Sequence, residues 1–190
     1  MNDSNNVACV ILASGASTRF GHSKMLYQLD EGTSILAKTI GIYRSVFDQV
    51  HVVVRQDDKA GIQLVEHAGA NNIINFNSQL GLSQSIIAGI QGVTQSKAWL
   101  FALGDMPYVS IETVRSLVMR ASLSHIVVPR TRNGNGNPIV FGAHFKNQLL
   151  DLTGDVGAKH LLKVNAQYVT FYDCQDSGIH HDIDRVSDIL

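Results

Sequence analysis

Seven short runs rich in valine and isoleucine recur along this chain, and the stretches between them carry apolar residues at every third or fourth position. The runs are VACVILA (7–13), QVHVVV (49–54), NIIN (72–75), AWLFAL (98–103), HIVVP (125–129), NPIVF (137–141) and YVTFY (168–172). Residues 34–47, 57–68, 83–92, 111–122, 143–150 and 155–163 have the spacing of helices laid on a sheet. Strands alternating with helices predict a mostly parallel sheet. Continuous apolarity in the first, second and fourth runs predicts burial on both faces. The expected fold class is therefore α/β, a three-layer α/β/α sandwich around a sheet of about seven strands. NPIVF follows the turn-rich cluster RNGNGNP (132–138) and is the candidate for an antiparallel member.

With 190 residues, 45% of them apolar, the chain is expected to form one domain, 1–190, around a single core. A net charge of −1 gives no bulk attraction to nucleic acid or to an anionic membrane, so any basic site must be local. The polar opening MNDSNN lacks the pattern of a signal peptide, and no apolar run is long enough to cross a bilayer, which predicts a cytoplasmic protein. Cys9 and Cys174 both sit inside apolar stretches that look like strands and read as small core residues, without the spacing of a zinc site. His180 and His181 read as surface residues.

In parallel sheets, ligands bind beyond the carboxyl ends of the strands, so the residues following each apolar run are where chemistry is sought. After the first run, Ser14, Gly15, Ala16 and Ser17 remove side-chain bulk and let backbone N–H groups approach an anion. Arg19 then adds a planar fork of donors and Lys24 a point charge, a pairing suited to several phosphate oxygens at once. The spacing of Gly15, Gly21 and Lys24 fits neither the Walker A motif nor a dinucleotide fingerprint, and no acidic residue stands about 20 positions on, as the latter requires. After the fourth run, Gly104 leads to Asp105, placed to hold a hard cation such as Mg²⁺, though an Asp here also fits a turn or the cap of helix 111–122. Asp182 and Asp184 flank Ile183 and project to one side of an extended segment, where they can complete a metal site or serve as a cap and a solvated charge. In NSQLGLSQSIIAGI (77–90), Gly81 precedes Ser83 and Ser85, which can meet a base or ribose or simply cap a helix.

Taken in order, LASGASTRFGHSK, LGLSQSI, LGDMPYV, GNPIVF, LTGDVGAKHLL and DIDRVSDIL resemble the motifs of the MobA-like NTP transferases, and most of all the molybdenum cofactor cytidylyltransferase branch. The resemblance runs from about Val7 to Leu190. It implies a Rossmann-like sandwich of the nucleotide-diphospho-sugar transferase type that binds a nucleoside triphosphate with Mg²⁺. Carried over by position, Leu12, Ala13, Ser14, Gly15, Ser17, Arg19, Gly21 and Lys24 form the triphosphate loop. Gly81 and Ser85 lie by the base or ribose, and Gly136, Asn137 and Pro138 by the pterin. Arg19, Lys24 and Asp105 are the expected catalytic residues, and Asp105, Asp182 and Asp184 the expected metal ligands. The chain departs from the family pattern at Ser14, Phe20, Asn137, Arg185 and Val186. Branches that use GTP resemble L-A-G-G in the first motif, so the side chain of Ser14 favours CTP.

The implied reaction is in-line attack by a terminal phosphate of molybdopterin on the α-phosphorus of CTP or another NTP, with release of pyrophosphate. Such chemistry asks for positioning and charge rather than a protein nucleophile. Implied partners are the nucleotide, the molybdopterin-type acceptor and a molybdoenzyme or its chaperone. Alternatives are a GTP-using enzyme, a transferase of the same fold acting on a sugar phosphate or methylerythritol phosphate, and a non-catalytic nucleotide-binding partner of a molybdoenzyme.

Overall fold

The computed structural model describes residues 6–15, 24–29, 31–155 and 157–190. Its strands are β1 (Val7–Leu12), β2 (Val50–Arg55), β3 (Asn71–Asn75), β4 (Ala98–Leu103), β5 (Ile126–Thr131), β6 (Gly134–Asn135), β7 (Ile139–Gly142) and β8 (Val169–Asp173). The helices are α1 (Ile35–Arg44), α2 (Lys59–His67), α3 (Leu82–Gly92), α4 (Ile111–Met119), α5 (Lys146–Leu150) and α6 (Lys159–Val164), joined in places by short 3₁₀ turns. The sheet runs β3-β2-β1-β4-β7-β5-β6, with β8 pairing β5.

Alternation along β1 divides the core. Cys9, Ile11 and Ala13 pack on one face with Leu36 and Ile40 of α1, Val65 of α2 and Val114 and Leu117 of α4. Ala8, Val10 and Leu12 pack on the other with Ile86 and Ile90 of α3, Leu149 of α5 and Leu161 of α6. Both faces of the central strands are thus covered, and the three-layer sandwich follows. Burying each of the large apolar side chains contributes about 1.5–3 kcal/mol. Trp99, the bulkiest of them, donates its indole N–H to the Val93 carbonyl at 2.9 Å, so its one polar atom is satisfied.

Among the described residues there are eight strands where the hydrophobic pattern predicts about seven, because the RNGNGNP cluster forms a hairpin in which two-residue β6 folds back on the end of β5. β7 is antiparallel to both β4 and β5 and separates them. β8 then enters parallel to β5. Cys9 is fully buried, but Cys174 follows the last residue of β8 and is half-exposed, since that strand covers little of its own surface. His180 and His181 are half-buried rather than superficial: the His180 ring bonds Thr131 Oγ1 at 2.7 Å, and the His181 ring meets the Asp188 carbonyl.

Candidate active site

The register of the central strands sets the floor of the site. Leu12, the last residue of β1, lies opposite Val53 of β2 and Leu103, the last of β4. Both chains therefore leave the sheet at one level. Beyond it the Ala13 N–H donates to the Val53 carbonyl at 2.9 Å and the Gly104 N–H to the Leu12 carbonyl at 3.0 Å, which carries the pairing one residue past the strands. Leu12 and Ala13 are buried, so only their backbone can serve a ligand. Gly15 is exposed, and a Cβ there would meet nothing within 4 Å.

On one side of this floor stand three carboxylates. Ile183 is fully buried against Leu29 and Ile35, and its N–H donates to the Asp105 carbonyl at 3.0 Å. That bond pins the C-terminal segment beside the β4 exit. Asp182 and Asp184 flank the pinned residue, and one oxygen from each of Asp105, Asp182 and Asp184 lies within 4.8 Å of the others. The alternative reading of these residues as helix caps is not what forms: helix α4 is capped by Ser110, and the last turn begins at Arg185. The Asp188 carboxylate accepts from the Asp184 and Arg185 N–H groups at 2.9 and 2.8 Å and steadies the segment.

Lys24 reaches into this cluster from a 3₁₀ turn anchored by buried Met25. Its Nζ lies 2.7 Å from Asp105 Oδ2 and 2.8 Å from Asp184 Oδ1. Burial alone would lower the Lys24 pKa, but attraction and hydrogen bonding to Asp105, then to Asp184, outweigh it and the ammonium is held above its ordinary value. Burial raises the Asp105 pKa against the pull of Lys24. Three hard oxygen donors that already attract a cation fit an ion such as Mg²⁺ or Mn²⁺.

Across the floor is a polar corner. Gly89 brings α3 so close to β1 that a Cβ on it would lie 2.6 Å from Val10 Cγ1. One turn earlier, on the same face, Ser85 meets the Ser14 hydroxyl. Asn75, the last residue of β3, donates its amide to both, at 3.2 Å to Ser14 and 3.3 Å to Ser85. Ser14 and Asn75 open on a cavity of about 290 Å³ shared with Arg55, Phe76, Ser78 and Gln79. The sequence reasoning missed Asn75 and Arg55. The available signal was positional: both end strands that pair with each other, with Arg55 opposite Asn75. Neither Ser83 nor Ser85 caps α3, whose first turn begins at Gly81; the buried Ser83 hydroxyl has no hydrogen-bond partner among the described residues.

Of the predicted nucleotide and metal residues that are described, Lys24 joins the carboxylates on one side of the floor formed by Leu12, Ala13 and Gly15, and Ser14 joins Ser85 on the other. Gly81 stands at the start of α3, packed against Gly154. Gly136 and Pro138 are buried and Asn137 half-buried; the Asn137 N–H donates to the Ile179 carbonyl at 2.9 Å, tying that loop to the segment that leads to Asp182. Ser17, Arg19 and Gly21 lie outside the described residues.

The match of this chain to a family model places it in the class of the nucleotidyltransferases. The chain matches the MobA-like NTP transferase domain over residues 9–170 and belongs to that family. It is 27% identical over 144 residues to a probable molybdenum cofactor guanylyltransferase of Natranaerobius thermophilus, covering 75% of this chain and 68% of that protein. It is also 25% identical over 192 residues to nicotine blue oxidoreductase of Paenarthrobacter nicotinovorans, covering 95% and 93%. Its fold is similar to that of a Mycobacterium sp. strain JC1 homolog of Mycobacterium tuberculosis Rv0371c, with TM-score 0.83, 26% identity and 97% and 93% of the two chains covered. It is similar as well to M. tuberculosis Rv0371c solved in complex with manganese, with TM-score 0.81, 23% identity and coverage of 96% and 95%.

Proposed function

We propose that this protein transfers a nucleotide from CTP or GTP to the terminal phosphate of a molybdopterin-type acceptor, releasing pyrophosphate. The observation that carries the reading is Lys24 Nζ at 2.7 and 2.8 Å from two of three clustered carboxylates, beside a backbone shelf at the end of β1. Membership of the MobA-like family supplies the reaction class. An acceptor phosphate oxygen forms a bond to the α-phosphorus as the bond from that phosphorus to the bridging oxygen breaks, and the electron pair leaves with pyrophosphate. A phosphate acceptor is already ionised at neutral pH, so no general base is required.

In this reading Gly15 and its neighbours bring backbone N–H groups to the triphosphate, and Lys24 and Arg19 offset the repulsion between the two anionic substrates. Asp105, Asp182 and Asp184 hold a divalent cation, Mg²⁺ or Mn²⁺, which when bound supplies positive charge to the phosphate oxygens. Ser14, Ser85 and Asn75 line the corner for ribose or base. Asn137 borders the acceptor side. The side chain at Ser14 favours CTP, whereas similarity to an N. thermophilus protein named a probable molybdenum cofactor guanylyltransferase supports GTP.

The test is pyrophosphate release with CTP, GTP and ATP, each with and without molybdopterin. Release with CTP or GTP that depends on the acceptor supports the reading. Tight nucleotide binding with no release under any condition favours a non-catalytic nucleotide-binding partner instead.

A further inference from the structure

We propose that a cavity between the β5–β6 hairpin and the segment after β8 receives the far end of the phosphate acceptor, and that this end is a planar heterocycle with amide-like edges; this rests on the nucleotidyl-transfer reading above. The cavity holds about 380 Å³ and is lined by Thr131, Arg132, Asn133, Cys174, Gln175 and Ser177. It lies at the same end of the sheet as the carboxylates. β7 runs against both β4 and β5, so β4 and β5 point the same way, and β8 is parallel to β5. The chains that leave β5 at Thr131 and β8 at Asp173 therefore emerge at the level where β4 gives way to Asp105.

Short contacts join the cavity wall to the carboxylate cluster. The Asp176 carboxylate accepts from the Ser110 N–H at 2.9 Å and the Thr113 hydroxyl at 2.7 Å, where helix α4 starts after Asp105. Gly178 packs on the Tyr108 carbonyl with no room for a Cβ. The His180 ring is bonded to Thr131, and three residues on the Ile183 N–H reaches the Asp105 carbonyl. From Ser177 the chain runs through a 3₁₀ turn that ends at His180. At about 2 Å per residue in the turn and about 3.5 Å beyond it, the Cα atoms of Ser177 and Asp182 stand no more than about 13 Å apart. One small molecule can thus offer its phosphate to the cluster and its other end to the cavity.

The lining selects the class of that end. Asn133 and Gln175 each carry a donor and an acceptor side by side, which pair with a lactam or amidine edge. Arg132 is exposed and makes no ion pair among the described residues, and its flat guanidinium suits a π face or an anionic substituent. The lining has no carboxylate to attract a cationic group and no Leu, Ile, Val or Phe to receive a hydrocarbon one. A pterin meets these demands.

Cys174 supplies a readout independent of turnover, because the other cysteine of the chain, Cys9, is fully buried. Its alkylation by excess iodoacetamide, located by peptide mass spectrometry, is timed on the full chain alone and with molybdopterin, glucose 1-phosphate or a non-hydrolysable α,β-methylene analogue of CTP or GTP. Molybdopterin at ten times its Kd is expected to slow labelling about tenfold, since only the free fraction reacts. The sugar phosphate and the nucleotide analogue are expected to leave the rate unchanged. Arg132→Ala, a change at an exposed hairpin position, is expected to raise the acceptor KM about tenfold, the effect of one lost charge-assisted contact, with the nucleotide KM unchanged. If release of pyrophosphate depends on molybdopterin, yet labelling is the same with and without it and Arg132→Ala keeps the wild-type acceptor KM, the cavity assignment is overturned and the nucleotidyl-transfer reading stands. Protection by glucose 1-phosphate or by the analogue in place of molybdopterin overturns the assignment as well. If molybdopterin protects Cys174 while no nucleotide supports release, the cavity assignment stands and the transfer reading falls. If there is neither protection nor release, both fall.

Discussion

Asn75 and Ser14, 61 residues apart in the chain, are joined by an amide N–H donated to the serine hydroxyl at 3.2 Å, in a corner where both side chains are less than 5% exposed. The same amide nitrogen reaches Ser85 at 3.3 Å. The Asn75 carbonyl oxygen accepts from the Asn77 N–H at 3.0 Å, which fixes the amide's orientation. Asn75 thus sets where two hydroxyls point at the edge of the proposed nucleotide cavity.

Asn75→Ala leaves those hydroxyls short of a donor and opens a small void. Loss of partners for buried polar groups typically costs about 1–3 kcal/mol. The expected outcome is destabilisation of that order in denaturant unfolding, together with a raised KM for the nucleotide. An unchanged KM would remove the residue from the nucleotide site.

Gly81→Ala is expected to disturb the start of α3. Gly81 has φ +101°, a conformation L side chains rarely adopt, and a Cβ there would lie 2.5 Å from the Gly154 carbonyl carbon. Backbone in such a region costs about 1–3 kcal/mol for a residue with a side chain. A melting temperature lowered by several degrees checks this, and one equal to wild type contradicts it.

His51 supplies a pH dependence. Burial lowers its pKa, so the unfolded chain binds a proton more readily than the folded one. Stability therefore rises with pH between the folded and unfolded values of this group, and it is lost as the pH falls below the ordinary imidazole value of 6.5. His51→Gln is expected to flatten that part of a melting-temperature profile recorded between about pH 5 and 7.5, around the ordinary histidine value. Identical slopes in the two proteins would contradict the assignment.

Much of the fold was legible because burial on both faces leaves a mark in the sequence. Val10 and Ile11 point to opposite helix layers, and both had to be apolar. The direction of β7 was harder to fix, since a four-residue apolar run reads the same in a parallel or an antiparallel sheet. Gly134 and Asn135 look like turn residues, and only pairing with Thr131 and Arg130 makes them a strand. In the site, Asp105 and the Asp182/Asp184 pair were recognisable from strand-end position and alternation. Their meeting was not, because the Ile183 N–H bond to the Asp105 carbonyl joins segments 78 residues apart. The same holds for Lys24 and Asp184, 160 residues apart. Asn75 escaped notice because a polar residue ending a strand resembles the start of a loop.

The account stands most directly on Asp105, which meets Lys24 at 2.7 Å and anchors the carboxylate cluster. The decisive measurement is metal-dependent pyrophosphate release by Asp105→Asn beside wild type, under the nucleotide and acceptor conditions that support wild-type turnover. A fall of about 10²-fold or more, the usual cost of removing a positioned charge in such a site, with a retained cooperative thermal transition, is the predicted result. Release at near the wild-type rate would contradict it.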